Sequence, residues 1–193
     1  MPTPSQRLSK QARREQLLDT AMAIVRGRST DELTLQTLAE AAGVSRPIVY
    51  DHFGTRPGLL FALYQRLEER HRSATEQALR NAGGSPGEVA GVMSAAYFAC
   101  ATDMPEFTAI SAALKGSREM ELSQREMLDA YTALMADALR RHSDLGIEEL
   151  RLRCVGVLGA AEAIAAELNS GRITASVAVA ALTDLIVGGV TAR

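Results

Sequence analysis

Leu17, Leu18, Ala21, Ile24 and Val25 recur at i, i+1, i+4, i+7 and i+8, the apolar stripe of an amphipathic helix. The spacing predicts that helix from about Lys10 to Arg26, with Gly27 ending it. A second, two-turn helix is predicted from Leu35, Leu38, Ala39 and Ala42, with Thr34 as N-cap and Gly43 as the stop. Ser45 is placed to cap a third, carrying Pro47 in its first turn, where a missing N–H is harmless, and Ile48, Val49 and Phe53 on its apolar side. Gly54 stops it, and Thr55 caps a much longer helix marked by Leu59, Leu60, Leu63, Tyr64 and Leu67 that fades toward Asn81. Gly83-Gly84-Ser85-Pro86-Gly87 is the clearest breaker. Beyond it the pattern predicts helices near Gly87 to Ala101, Pro105 to Leu114, Glu121 to Arg141, Ile147 to Asn169 and Ala175 to Val190. No alternating strand pattern competes, so the expectation is an all-α chain.

Composition sharpens this. The chain has 193 residues, 47% apolar and 23% charged, which excludes a disordered chain or a collagen-like fibre. With no Trp and 4% aromatics, the core must be filled by Leu, Ile, Val, Met and Ala, which favours closely packed helices. Cys100 and Cys154 are too few for a disulfide scaffold and sit in no Cys/His array of zinc spacing; the expectation for each is an inert core thiol in a reducing compartment. The opening stretch MPTPSQRLSKQARR is followed by no apolar signal core, and the least polar stretches are cut by Glu162 and Asp184, short of the ~20 residues a bilayer needs. A soluble cytoplasmic protein with no membrane partner is expected.

The net charge of -2 conceals an asymmetry: residues 1–56 hold eight Lys/Arg against six Asp/Glu, and the other 137 hold thirteen against seventeen. Arg7, Lys10, Arg13 and Arg14 fall within the first fourteen residues, which hold no acid. That arm suits an anionic partner at the N-terminal end, or is a solvated tail.

Residues 34–53 carry the most informative spacing. A helix-turn-helix needs a small residue where its helices approach, a Gly-permissive turn four positions later, and an apolar residue on the second helix to lock the pair. Ala39, Gly43 and Val49 meet those demands, and the turn AAGVS holds two short helices at a steep angle that lets the second enter a major groove about 12 Å wide. The stretch LTLQTLAEAAGVSRPIVYDHFGTRPGLL, Leu33 to Leu60, resembles the DNA-binding domain of the tetracycline-repressor (TetR) family of bacterial transcriptional regulators. Leu38-Ala39-Ala42-Gly43-Val44-Ser45 matches the family's second helix and turn; Tyr50, His52, Phe53, Leu59 and Leu60 match the end of the recognition helix and the start of the next. The resemblance implies an N-terminal three-helix DNA-binding domain with its basic arm, residues 1–56, joined to a helical effector-binding and dimerisation domain, residues 57–193. Three positions depart from the family pattern: Asp51, where an aromatic, polar or basic residue is common, Arg56 in place of Lys, and Pro57-Gly58 in place of an acidic pair. An acid facing DNA lowers affinity unless it reads a cytosine amine or pairs with a neighbour such as Arg46 or Arg56.

Within that frame Arg46 has the length and fork to read guanine O6 and N7, or else to hold a phosphate. Pro47 either touches a thymine methyl or only starts the helix. Gln36 and Tyr50 reach base edges or backbone. Thr34, Thr37, Ser45, Tyr50, His52 and Arg56 are expected on phosphates or sugars, with a ring packed beside Phe53 as the other reading of His52. The amide ends capped by Thr34 and Thr55 suit phosphates, and Leu38, Ile48, Val49 and Phe53 are assigned to the core.

Val155 to Leu168 and Ala175 to Val190 are rich in small residues, so their helices can approach closely, either as an intrachain hairpin or against a second copy. The resemblance implies a homodimer through these last two helices, about 147–190, which would set two recognition helices ~34–36 Å apart on a palindromic double-stranded operator. Met93, Tyr97, Phe107, Met127 and Tyr131 suit a small-molecule pocket, which the resemblance implies in this region, or ordinary core. Glu162 interrupts an apolar helix, as a pocket carboxylate for a cationic ligand or an interface partner for an Arg. His52, His71 and His142 form no metal pair, and no nucleophile elbow or phosphate loop is present, so no catalytic residues, metal, cofactor or enzyme activity are expected. The resemblance implies a homodimeric regulator, most often a repressor, released from DNA by an unidentified small-molecule effector. The rival reading is an all-helical adaptor or carrier whose helix-turn-helix is only a packing unit.

Overall fold

The structure, a computed structural model, describes residues 8–116 and 118–191. Arg7 lies outside the described residues, as does the side chain of Cys100. The described residues form helices without strands: α1 (Lys10–Gly27), α2 (Leu35–Ala42), α3 (Arg46–Phe53), α4 (Arg56–Arg80), α5 (Pro86–Asp103), α6 (Pro105–Ala113), α7 (Arg118–Leu139), α8 (Ile147–Asn169) and α9 (Ala175–Thr191), with a 3₁₀ turn at Arg140–His142. The predicted elements are all present, with no end displaced by more than three residues. Two compact units result, one of residues up to Leu67 with Thr108–Lys115, the other of Glu68–Phe107 with the chain from Gly116 on. Residues 56–67 of α4 belong to the first and 68–80 to the second. No helix among the described residues is long and apolar enough to cross a membrane.

In the first unit the predicted stripe of α1 is buried, Leu17 and Ala21 completely, as are Leu38 and Ala39 of α2, Val49 and Phe53 of α3 and Leu59, Leu60 and Leu63 of α4. Truncating such a fully enclosed leucine costs ~2–5 kcal/mol, so these residues hold the head together. Ile48 is a correction: expected in the core, it is 37% exposed. An eight-residue helix buries one face, here Val49 and Phe53 at i and i+4, and its neighbour at i−1 points ~100° away from it. Ser45 stands at the N-cap of α3 as predicted, but its hydroxyl makes no capping bond.

α2 is closed at both ends. The Thr37 N–H donates to the Thr34 hydroxyl at 3.0 Å while the Thr34 N–H donates to the Thr37 hydroxyl at 3.0 Å, a capping box built from two threonines. At the other end Gly43 takes φ 64°, ψ 34°, and its N–H and that of Val44 close on the Ala39 and Glu40 carbonyls. Gly58 explains one departure from the family pattern: a Cβ there would stand 2.3 Å from the Phe53 carbonyl oxygen, so only glycine lets α4 start this close to the end of α3.

The second unit has its own core, drawn from Val89, Ala90, Met93 and Phe98 of α5, Met135 and Leu139 of α7, Leu150, Cys154 and Leu158 of α8, and Ala178, Leu182 and Ile186 of α9. Glu88 folds back on Ser85 to cap α5 with a second capping box. The Arg153 guanidinium donates to the Gly189 carbonyl at 2.5 Å, and the Ser143 hydroxyl to the Val190 carbonyl at 3.1 Å, so two side chains from before and within α8 satisfy the end of α9. Burial pushes the Cys154 thiol up to about 11, which keeps it protonated and unreactive.

Candidate nucleic-acid interface

Because Val49 and Phe53 turn inward, the rest of α3 is presented to solvent. The Arg46 side chain is 59% exposed and Tyr50 54%; Ser45, Pro47, Ile48 and Asp51 are exposed with them. This is one continuous outward face on a short rigid helix, carrying a cationic fork, a proline ring, a phenol and a carboxylate. Gln36 lies exposed on α2, where its amide donates to Glu40 Oε1 at 3.0 Å, and the same oxygen stands 4.0 Å from the Arg46 guanidinium. Glu40 thus brings Gln36 and Arg46 together. Its i+4 spacing from Gln36 is the sequence signal for this contact.

Thr34 and Thr37 are half-buried and their hydroxyls are engaged in the capping box, Thr37 also donating to the Glu32 carbonyl at 2.8 Å. Arg56 turns inward: its Nε donates to the Leu33 carbonyl at 2.8 Å and a terminal nitrogen to the Thr30 carbonyl at 2.6 Å, with Asp31 3.9 Å away. The guanidinium therefore ties the loop between α1 and α2 to the start of α4.

Two cations of α1 meet the end of α3. Arg14 donates to the His52 carbonyl at 3.0 Å and lies 5.0 Å from the Phe53 ring centroid, while Lys10 pairs with Asp51 at 3.2 Å. Asp51 thus pairs with a neighbour, and that neighbour is Lys10. His52 is half-buried with its ring tilted 44° to Phe53 at 6.0 Å. Burial holds its pKa below the usual value, and Lys10, Arg14 and Arg13 reinforce this while Asp51 opposes it. At neutral pH the ring is an uncharged hydrogen-bonding group.

The residues expected around a ligand are dispersed through the second unit. Met93 is buried; Tyr97 and Tyr131 pack against the core, Tyr97 edge-on to Phe98 at 5.3 Å and Tyr131 stacked on His71 at 6.2 Å. Phe107 and Met127 are half-buried. Glu162 is exposed on α8, because Leu158 and Ala161 take the inward positions beside it. A cleft of about 400 Å³ opens among α4, α5 and α7 over Leu79, Val89 and Leu134, and none of the six expected residues lines it.

The family described as bacterial regulatory proteins, tetR family, matches at residues 17–63, the span from the buried stripe of α1 to the first turns of α4. Over 74 residues the chain is 36% identical to the HTH-type transcriptional activator FasR of Mycolicibacterium smegmatis; the matched stretch is 38% of this chain and about a third, 34%, of that curated relative. The fold also resembles the fatty acid degradation regulator FadR from Bacillus halodurans at 20% identity and a TM-score of 0.69, covering 98% of this chain and 100% of that one. FadR from Bacillus subtilis, solved in complex with stearoyl-CoA, is similar at 16% identity and a TM-score of 0.62, covering 93% of this chain and 98% of that one.

Proposed function

We propose that this chain, which belongs to the tetR family of bacterial regulatory proteins, is a transcriptional regulator that reads a palindromic operator with α3 as a homodimer and changes its hold on DNA when a small molecule binds the helical remainder. The observation that carries the reading is the outward face of α3, with Arg46 and Tyr50 more than half exposed on a helix anchored by Val49 and Phe53. Arg46 supplies the base contact, its fork matching guanine O6 and N7, and Pro47 the apolar contact to a thymine methyl. Ser45, with its hydroxyl free of the cap, Gln36, Tyr50 and His52 hold sugar and phosphate. In this division of labour residues 1–56 bind DNA and 57–193 bind the effector and a second copy.

Leu152 at 69%, Val155 at 45%, Val177 at 52% and Leu185 at 49% exposure form apolar stripes on α8 and α9, set off from the buried stripes by helical spacing. That much exposed apolar surface supports burial against a second copy. Glu162 lies at the same helical spacing as Val155 and Gly159, which favours its interface role over the pocket one.

The Met and aromatic side chains of α5 and α7 suit an apolar effector. Stearoyl-CoA is bound by the Bacillus subtilis neighbour, so fatty acyl thioesters are the first class to assay. α4 contributes residues to both units and is the covalent route by which a ligand would bias α3, a coupling typically worth ~1–3 kcal/mol. The adopted reading is a repressor that its ligand releases; FasR is named an activator, and a promoter fusion measured with and without the gene decides the sign. Duplex titrations at two salt concentrations test DNA binding itself: a regulator loses affinity steeply with salt, and a carrier shows no salt-dependent affinity.

A further inference from the structure

A carboxylate on the outward face of a DNA-reading helix needs a reason. Asp51 stands one position after Tyr50 on α3, 67% exposed, with Lys10 of α1 at 3.2 Å and 75% exposed. The neighbouring Arg14 contact differs in kind. Arg14 is half-buried, bonded to a backbone carbonyl and lying over the Phe53 ring, so it is part of the scaffold. With Arg14 holding α1 to the end of α3, the Lys10–Asp51 pair is not needed for packing. Solvent screens it, and pairs this exposed are worth ~0–1 kcal/mol, weak enough for Lys10 to exchange Asp51 for a phosphate.

We propose that Asp51 is a specificity-determining residue that guards the recognition helix, occupying Lys10 and repelling phosphates on any duplex until α3 is seated against its own sequence. Loose, sequence-independent binding is driven by Lys and Arg neutralising phosphates, which releases the counterions condensed on the DNA. In that mode the guard withholds one cation and adds one like charge, so affinity for arbitrary DNA is depressed. In the seated complex the helix end meets the backbone, Lys10 transfers to phosphate, and Asp51 is left free to accept from a cytosine N4 amine in the groove. The guard therefore weakens wrong complexes more than right ones, as a repulsive element in a specific interface does.

This inference rests on the DNA-binding reading above. The test uses the full chain with two probes, a random-sequence 30-base-pair duplex mixture and the fragments that the wild-type protein enriches from a random pool. Asp51→Asn is expected to tighten binding to the random mixture about two- to fivefold and to steepen its logarithmic salt dependence by about 0.9, with a smaller gain or a loss on the enriched fragments. In a Lys10→Met background the Asp51→Asn gain on the random mixture should shrink to the part that comes from losing a like charge, because the released cation is absent. A gain undiminished there, or equal changes on both probes, overturns the guard while leaving DNA binding intact. A wild-type protein that binds neither probe overturns the regulator reading and the guard with it. Both residues are exposed, so a variant with unchanged far-UV circular dichroism is folded and its binding counts.

Discussion

Arg56 separates two roles that sequence alone merges. Its guanidinium makes two charge-assisted hydrogen bonds to backbone carbonyls, Leu33 at 2.8 Å and Thr30 at 2.6 Å, and its side chain is 36% exposed. A hydrogen bond to a charged group contributes ~1.5–3 kcal/mol when water is kept away. With a third of the side chain wetted and water able to replace part of the pair, the two together stabilise the α1–α2 loop by about 2 kcal/mol. Arg56→Lys keeps the charge but loses the planar fork, so it should lose most of that, as Arg56→Ala does. Amide exchange across residues 28–40 reads the local effect, since about 2 kcal/mol accelerates exchange roughly thirtyfold. A phosphate contact gives the opposite pattern: Lys would largely rescue, exchange would be unchanged, and only Ala would weaken all duplexes alike and lower the salt slope by about one. That second outcome would refute the assignment of Arg56 as a staple.

Further expectations follow from other particulars. Arg46→Ala should cost ~1–3 kcal/mol on the enriched sequence and flatten preference at one base pair, measured by competition with single-base variants. Gly58→Ala should reverse the usual helix rule: alanine is ordinarily better by ~1 kcal/mol, but its Cβ would meet the Phe53 carbonyl oxygen at 2.3 Å, so the urea midpoint should fall. Burial lowers the pKa of both His71 and His52, so between the ordinary value of about 6.5 and the lower folded values the unfolded chain binds more protons. Stability is full above pH 6.5 and declines below it; His71→Gln should remove its share of the decline between pH 7.5 and 5.5. Leu152→Glu on the exposed stripe of α8 should shift the sedimentation profile toward monomer without loss of helicity.

Much of the scaffold was legible because it is local. Apolar spacing of 3 and 4 placed α1 and α4, and Thr34, Gly43 and Gly54 stand at the ends they were read for. Outward presentation of Arg46 and Tyr50 follows from the same arithmetic, since Val49 and Phe53 fix which way α3 faces. What escaped depends on residues far apart in the chain. Asp51 meets Lys10 across 41 positions and Arg56 meets Thr30 across 26, and no periodicity encodes either contact. Ile48 misled because an apolar residue on a two-turn helix reads as core although one narrow face suffices to anchor it. For Glu162 the sequence left two roles open, and which face of α8 turns inward, the one carrying Cys154, Leu158 and Ala161, is set by packing against distant helices.

In the proposed regulator, α3 reads DNA from a symmetric pair of heads. Sequencing the duplexes that the full-length protein retains from a random pool measures this directly, with Arg46→Ala carried through the same selection. The expected outcome is a site with dyad symmetry whose half-sites lie one helical turn or a multiple apart, and loss of preference at a guanine in each half for the variant. A pool that emerges unenriched, or an enriched site without symmetry that Arg46→Ala leaves unchanged, contradicts it.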